Sequence, residues 1–468
     1  MKILFGYDVM TYNGEMPNCL HPKFLNTIHN VSDFDYAFSG EGYRKRWNHD
    51  WAIYNSNFWN YYVEKKSIFE IVKYYPNEKW FYIVEPFGSI EAFFGNEANF
   101  HNQFLLENMS SVALEQIKNG NGNLLINYII DGGLGMTKSN FQKIIDFTRK
   151  NGITDNKVYL IFQDFKLQKN LRKMGVEYRV FNFNLAQLSK SQEFCNTLNN
   201  PDFSYWGKDV YEPQFGKRET RKSSIATYDE FEQSIGKDKK DFLFLCRHWK
   251  LHRLLVLSKL QKIGLFKNLV SWDKNFYHQA VADAFLEHDN NPELIDLIKN
   301  TSRHLDIEDL TKIAGYGFED KELYLDTYLS LVSESIFFQI REEGDELVEF
   351  PSGYLSEKIW KPIGHAHPFI LMAPAKSLEY IRSLGYKTFH PFIDESYDNE
   401  TEDFKRLEMI MIEIDKFSQK TKEEKEEFLN NVKDILKHNQ NKFLEYSLEK
   451  YKQDCVNIVA ELNGTPII

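Results

Sequence analysis

Cysteine is scarce in this chain: four residues, Cys19, Cys195, Cys246 and Cys455, among 468. They are scattered and form no Cys-x-x-Cys pair. That excludes the usual zinc spacings and a disulfide framework, and favours a reducing compartment. Long hydrophobic runs are missing as well: nothing approaches the roughly 18 consecutive apolar residues of a membrane span. The opening run Met1-Lys2-Ile3-Leu4-Phe5-Gly6-Tyr7-Asp8 has neither the length nor the small-residue cleavage site of a signal peptide. A cytoplasmic protein with no membrane span is expected. Positive charge is in the minority, with 57 Lys and Arg against 68 Asp and Glu and a formal net charge of -11. This disfavours a large nucleic-acid footprint and leaves room only for a local basic groove. Internal repeats, low-complexity segments and a Gly-x-Gly-x-x-Gly fingerprint are also lacking.

What is abundant is core material. Hydrophobic residues make up 42% of the chain, with 38 Phe and 26 Tyr. At this length, two domains of roughly 200 residues are the natural expectation. Short apolar runs at 2–6, 80–84, 124–130, 158–162 and 178–181 predict strands, and helical patterns are expected at 67–74, 102–118 and 138–151. The last of these meets a stop signal at Asn151-Gly152. Strands interleaved with helices predict a mostly parallel sheet. A polar stretch, 213–240, reads as a linker or exposed loop. A second α/β series opens with a strand at 241–246 and a helix at 254–263. It continues with a helix at 324–330 leading into a strand near 331–333, a strand at 369–372 and a helix at 375–384. The charged tail from 403 to 462 is helical, with Leu407, Ile410, Ile414 and Phe417 at helical spacing. The expected organisation is an N-terminal domain over 1–225, a second domain over 240–405 and a helical tail over 406–468.

Three constellations carry candidate chemistry. Glu357 and Lys358 open a helix just before the apolar run Pro368-Phe369-Ile370-Leu371. A helix N-terminus offers free N–H groups and positive partial charge. The lysine adds a formal charge, and the glutamate accepts from hydroxyls, which suits the diphosphate and ribose of a nucleotide-sugar. A solvated amphipathic helix is the plain alternative. Arg247, His252 and Arg253 follow the strand at 241–246, where ligands bind in open α/β sheets. A guanidinium there clamps phosphate oxygens with paired hydrogen bonds. Basic residues at a helix start oppose its dipole, so their placement calls for a reason. Glu334, in Leu331-Val332-Ser333-Glu334-Ser335, is a strand-end carboxylate able to bind sugar hydroxyls or simply to cap a turn. Asp394, Glu395 and Asp398 occupy a turn-forming segment.

The linked series resembles the C-terminal, donor-binding domain of GT-B glycosyltransferases. It runs from strand–Arg247–x4–His252–Arg253–helix through Val332-Ser333-Glu334-Ser335 to Ser356-Glu357-Lys358-Ile359-Trp360-Lys361-Pro362-Ile363. It ends with Leu384-Gly385-Tyr386-Lys387-Thr388-Phe389 and Asp394-Glu395-Ser396-Tyr397-Asp398. More narrowly, it is similar to a group common in large phages and other viruses, distantly similar to the α-1,3-fucosyltransferases. The resemblance covers residues 240–405, a little over a third of the chain. It implies two Rossmann-like domains facing across a cleft, Arg247 and Lys358 on the donor diphosphate and Glu357 on the nucleotide ribose. It implies no cofactor beyond the nucleotide-sugar substrate, and a glycan or other hydroxyl as acceptor. The acceptor-side motifs of the fucosyltransferases are not found in the first 200 residues.

No convincing Asp-x-Asp metal motif is found, in agreement with a metal-independent reaction. An inverting transfer needs a general base. Glu85 and Asp131 are the candidates, each following an apolar strand, with Asp8 a third; each is also a plausible turn residue. The glycines Gly132, Gly133 and Gly135 let a loop approach a ligand closely. Two other functions fit the same sequence: a catalytically inactive glycan-binding protein of this fold, and a glycosyltransferase acting on modified DNA bases through the basic segment 217–222.

Overall fold

The structure, a computed structural model, describes residues 3–6, 69–72, 77–84, 105–109, 111–128, 137–182, 184–199, 211–212, 216–217, 224–246, 248–266, 268–303, 321–338, 340–343, 346–349, 352–445 and 461. It is an α/β protein of two compact units. The first comprises Met1–Leu185, Gln339–Tyr354 and Glu449–Ile468, and the second Ala186–Phe338 and Leu355–Leu448.

The first unit is built on six parallel strands: β1 (Ile3–Gly6), β2 (Phe69–Val72), β3 (Trp80–Val84), β4 (Gly122–Tyr128), β5 (Val158–Phe162) and β6 (Arg179–Asn182), in the order β2-β1-β3-β4-β5-β6. Every residue of β5 is buried. That is the pattern of a parallel strand covered on both faces, and it explains a continuous apolar run where an alternating one would mark a half-exposed strand. The helices described between these strands are α1 (Ser111–Asn119), α2 (Lys138–Lys150) and α3 (Leu167–Lys173). Thr137 caps α2 by accepting from Asn140 N at 3.1 Å, and Phe141, Ile144 and Ile145 bury its inner stripe against Leu124, Ile126 and Leu160. Its end at Asn151, with Gly152 at φ 67°, is the stop expected from the sequence.

The second unit starts with α4 (Leu185–Asn199) and the small hairpin β7 (Tyr211–Glu212) and β8 (Gly216–Lys217). The expected loop at 213–240 contains a helix, α5 (Tyr228–Ser234). Thr227 and Glu230 start it with a reciprocal capping box, a signal legible in Thr227-Tyr228-Asp229-Glu230. Then follow β9 (Lys240–Leu245), α6 (Leu251–Lys262), β10 (Leu269–Ser271), α7 (Gln279–Asp289), α8 (Pro292–Asn300), α9 (Lys321–Leu325) and β11 (Thr327–Ser333). The chain next contributes the antiparallel pair β12 (Ile340–Glu343) and β13 (Glu346–Glu349) to the first unit. It returns as α10 (Glu357–Gly364), β14 (Phe369–Met372), α11 (Ser377–Ser383), α12 (Asp403–Ser418) and α13 (Lys422–Glu445).

Two expectations are corrected. Residues 69–72 form a strand paired with β1, and residues 327–333 form a strand between β9 and β14. Residues 69–72 and 327–330 were expected as helix, and only 331–333 as strand. A short apolar run has no decisive period, and β11 is buried at all seven positions, so neither face shows the polar alternation of a strand.

The second sheet is parallel in the order β10-β9-β11-β14. From β9 the chain steps outward to β10, then crosses to the other side of β9 to lay down β11 and β14. The winding direction therefore reverses between β9 and β11. Ligands of open α/β sheets bind beyond the carboxyl ends of such a strand pair.

Helix α13 closes this unit. One amide on it, Gln440, makes three hydrogen bonds to α5, the loop before it and α10: it accepts from Tyr228 N at 2.7 Å and donates to Ala226 O at 2.9 Å and Gly364 O at 2.7 Å. Beside it Trp360 of α10 stacks on Phe443, with ring centroids 6.0 Å apart and planes within 3°.

Candidate functional site at the carboxyl edge of the second sheet

Helix α10 begins beyond the end of β11, and its start is held by a carboxylate. Ser356, the N-cap, accepts from Lys358 N at 3.3 Å. Its own N and Oγ donate to Glu334 Oε2, at 3.0 and 2.5 Å. Glu334 is the first residue past β11, so strand end and helix start are joined by one side chain. Pro362, with no N–H, cannot sustain a long helix, and α10 is only eight residues.

Lys358 projects from this start. Its Nζ lies 2.7 Å from Glu357 Oε1, 3.3 Å from Ser335 Oγ and 3.2 Å from Ser356 Oγ. Its side chain keeps 28% exposure against 12% for Glu357. Burial by itself pushes the Glu357 carboxyl up, but the Lys358 and Lys361 charges and the hydrogen bond from Lys358 outweigh it and hold that carboxyl down at about 2. Glu334 differs: its environment raises its pKa, chiefly through burial, against the pull of Lys358 and the Ser356 hydrogen bonds. Its second oxygen, Oε1, is buried and has no hydrogen-bond partner among the described residues.

Arg253 ties the opposite loop to the same place. It is 2% exposed. Its Nε donates to Ser333 Oγ at 3.0 Å, its Nη2 to Ser333 O at 3.0 Å and Glu334 O at 3.2 Å, and its Nη1 to His248 O at 3.1 Å. A basic residue in the first turn of α6 opposes that helix's dipole. The carbonyls beyond β9 and β11 supply the compensation. His252, also 2% exposed, stacks on Phe337 with centroids 5.1 Å apart. Burial, reinforced by Arg253 and Lys250, holds its pKa well below the ordinary histidine value, so the ring is neutral. Arg406 lies over the same Phe337 ring, 4.5 Å from its centroid, and pairs with Asp403.

The structure thus brings five expected site residues to the carboxyl edge of β9 and β11. Glu357 and Lys358 reach the surface there, while Glu334, His252 and Arg253 are buried in the framework that shapes it. Arg247, Glu85 and Asp131 lie outside the described residues, as does Asp8. Sequence reasoning did not single out Lys250, whose Nζ donates to Ser335 O, nor the anchoring role of Ser356. A serine directly before Glu-Lys at a helix start was the available signal for the second. Among the described residues, no group of three or more His, Cys, Asp or Glu side chains is placed to hold a metal ion, and no helix is long and apolar enough to cross a membrane.

The charges gathered here are Lys250, Arg253, Lys358 and Lys361 against Glu357 and a Glu334 whose ionisation burial opposes. Together with the positive end of the α10 dipole, the balance favours an anion. Compared with models of protein families, with curated proteins and with solved structures, the chain matches none.

Proposed function

We propose that the chain is a glycosyltransferase that moves a sugar from a nucleotide-diphosphate donor to a glycan or other hydroxyl acceptor. The reading assigns the donor to the second unit and the acceptor to the first. The observation that carries it is the start of α10: a lysine, a glutamate and the positive end of a helix dipole, fixed by Glu334 at the strand pair where the sheet reverses its winding. As the acceptor oxygen bonds to the anomeric carbon, the bond from that carbon to the diphosphate breaks. The leaving diphosphate gathers negative charge. Lys358 and the α10 N–H groups are cations and dipoles already aimed at such charge, and a preorganised set of this kind lowers the barrier without reorganising. This arrangement assigns the charge-stabilising role to the protein, so the reaction is metal-independent in this proposal. Glu357 accepts from ribose hydroxyls once a phosphate draws Lys358 away from it. Glu85 and Asp131 remain the candidate bases.

A thermal-shift series with GDP, UDP, CMP, dTDP and their sugars in EDTA tests the proposal. Ligand at one hundred times its dissociation constant adds about 2.7 kcal/mol. One nucleotide is expected to stabilise the protein, and Lys358→Ala to abolish the shift at the same ligand concentration. Stabilisation that survives Lys358→Ala, or no shift with any nucleotide, refutes the donor-site assignment. In the second case, glycan binding would point to a binding protein.

A further inference from the structure

Resting on the nucleotide-site reading above, we infer that the ring pair His248–Phe276 is a stacking ledge for the base of the bound nucleotide. The two rings lie 3.9 Å apart between centroids, with planes at 47°. His248 is exposed and Phe276 is 37% exposed. Three phenylalanines are exposed among the described residues, and Phe276 is the one that follows a strand of the second sheet within a few residues.

Position is the first argument. His248 follows β9 and Phe276 follows β10, both at the carboxyl edge where Lys358 stands beyond β11. Adjacent strands are about 4.8 Å apart, so β10 and β11 are separated by roughly 10 Å across β9. A nucleoside diphosphate covers that span between its base and its terminal phosphate. With the phosphates at α10, the base falls over the loops of β9 and β10.

Construction is the second argument. Trp249 donates its indole N–H to Asp273 O at 3.2 Å and sets its ring edge-on against Tyr277 at 4.6 Å, so the two loops are stitched together. Asp273, 2% exposed, accepts from Asn275 N at 3.0 Å and from Ser302 Oγ at 3.2 Å, and Ser302 Oγ accepts in turn from Lys274 N at 3.0 Å. Arg253 then binds the His248 carbonyl with the same guanidinium that holds Ser333 and Glu334. Base side and phosphate side share one buried support. An aromatic ring face carried on loops held in place in this way loses little entropy on stacking. It accepts purines and pyrimidines alike, because every base has a π-face.

The test is calorimetric titration of the full chain with GDP, UDP, CDP, ADP and dTDP and, separately, with inorganic pyrophosphate. Phe276→Ala and His248→Ala are each expected to weaken the tightest nucleotide roughly 5- to 100-fold. Pyrophosphate affinity stays unchanged in both, Phe276→Trp retains nucleotide binding, and Lys358→Ala weakens both ligands. Three results overturn the ledge while leaving the phosphate site standing: nucleotide affinity unmoved by either alanine, nucleotide and pyrophosphate weakened by the same factor, or a wild-type protein that holds pyrophosphate as tightly as any nucleotide. A wild-type protein that binds neither ligand refutes the phosphate site itself, and the ledge with it.

Discussion

Arg253→Met is the sharpest perturbation of the framework. The guanidinium makes four hydrogen bonds: one to the Ser333 hydroxyl and three to the carbonyls of His248, Ser333 and Glu334. Methionine fills similar length and donates nothing, so all four acceptors lose their donor. Hydrogen bonds to a charged group contribute about 1.5–3 kcal/mol each. A simple sum would be about 6–12 kcal/mol, but removing a buried charge returns several kcal/mol of desolvation. The balance is a loss of about 3–5 kcal/mol: four buried acceptors left without a donor cost about 1–3 kcal/mol each, less the desolvation that is returned. Arg253→Lys keeps the charge but presents its donors from one nitrogen, which cannot reach all the acceptors that Nε, Nη1 and Nη2 serve. About half the loss is expected to remain. Because the chain has two units, one global midpoint would mix their transitions. Native-state hydrogen exchange in urea resolves them. The amides of β11 and of α6 should lose the full amount, while β4 and β5 of the first unit keep wild-type protection. A loss below about 1 kcal/mol, or one spread evenly over both sheets, would falsify the view that this guanidinium holds the two loops.

Two further substitutions probe the same unit. At Gly364 a Cβ would sit 1.9 Å from Phe194 Cε2, so Gly364→Ala should cost about 1–2 kcal/mol in urea unfolding, overpacking outweighing a helix-propensity gain of at most about 1 kcal/mol. Adding Phe194→Leu should recover part of the loss, and a stabilised Gly364→Ala single variant would contradict the packing. Glu334→Gln can still accept from Ser356. Because burial raises the Glu334 pKa above its ordinary 4.5, the folded state holds that proton more tightly than the unfolded state, and the native carboxyl disfavours folding increasingly as pH rises past 4.5. Glu334→Gln should therefore match wild type near pH 4 and equal or exceed its stability at pH 7. Glu334→Ala, without the Ser356 tie, should lose about 1–3 kcal/mol at both; a Gln variant less stable than wild type at pH 7 would show that the ionised carboxylate is required.

The sequence announces the elements whose local signals agree with their surroundings. Residues 80–84, 158–162 and 369–372 read as strands and are strands, and the cap and glycine stop of α2 stand where its pattern puts them. The opening of α10 at Glu357 was legible as a helix start. Misreadings occur where burial erases the period, as in β11, or where an element is short, as in the three residues of β10. Helix α8 was missed despite its Asn291 cap and first-turn Pro292, signals that need no tertiary information. The role of Arg253 was beyond reach. Its charge against the helix dipole raised the question, but the answer lies in carbonyls 80 and 81 positions away along the chain.

Long-range contacts also explain how the start of α10 is fixed. Between β11 and α10 the chain leaves the second unit and returns. On the return, Asp164 of the first unit accepts from Gly353 N at 2.7 Å and from Ser352 Oγ at 3.0 Å, while Phe165 N donates to Gly353 O at 3.0 Å. A Cβ at Gly353 would stand 2.8 Å from the Phe165 ring, so that position admits only glycine without a shift. Three residues later Ser356 is already bound to Glu334 of the second unit. Only Tyr354 and Leu355 separate the two anchors. The buried Glu334 carboxyl carries a desolvation penalty, and in exchange the start of α10 is tied to the end of β11.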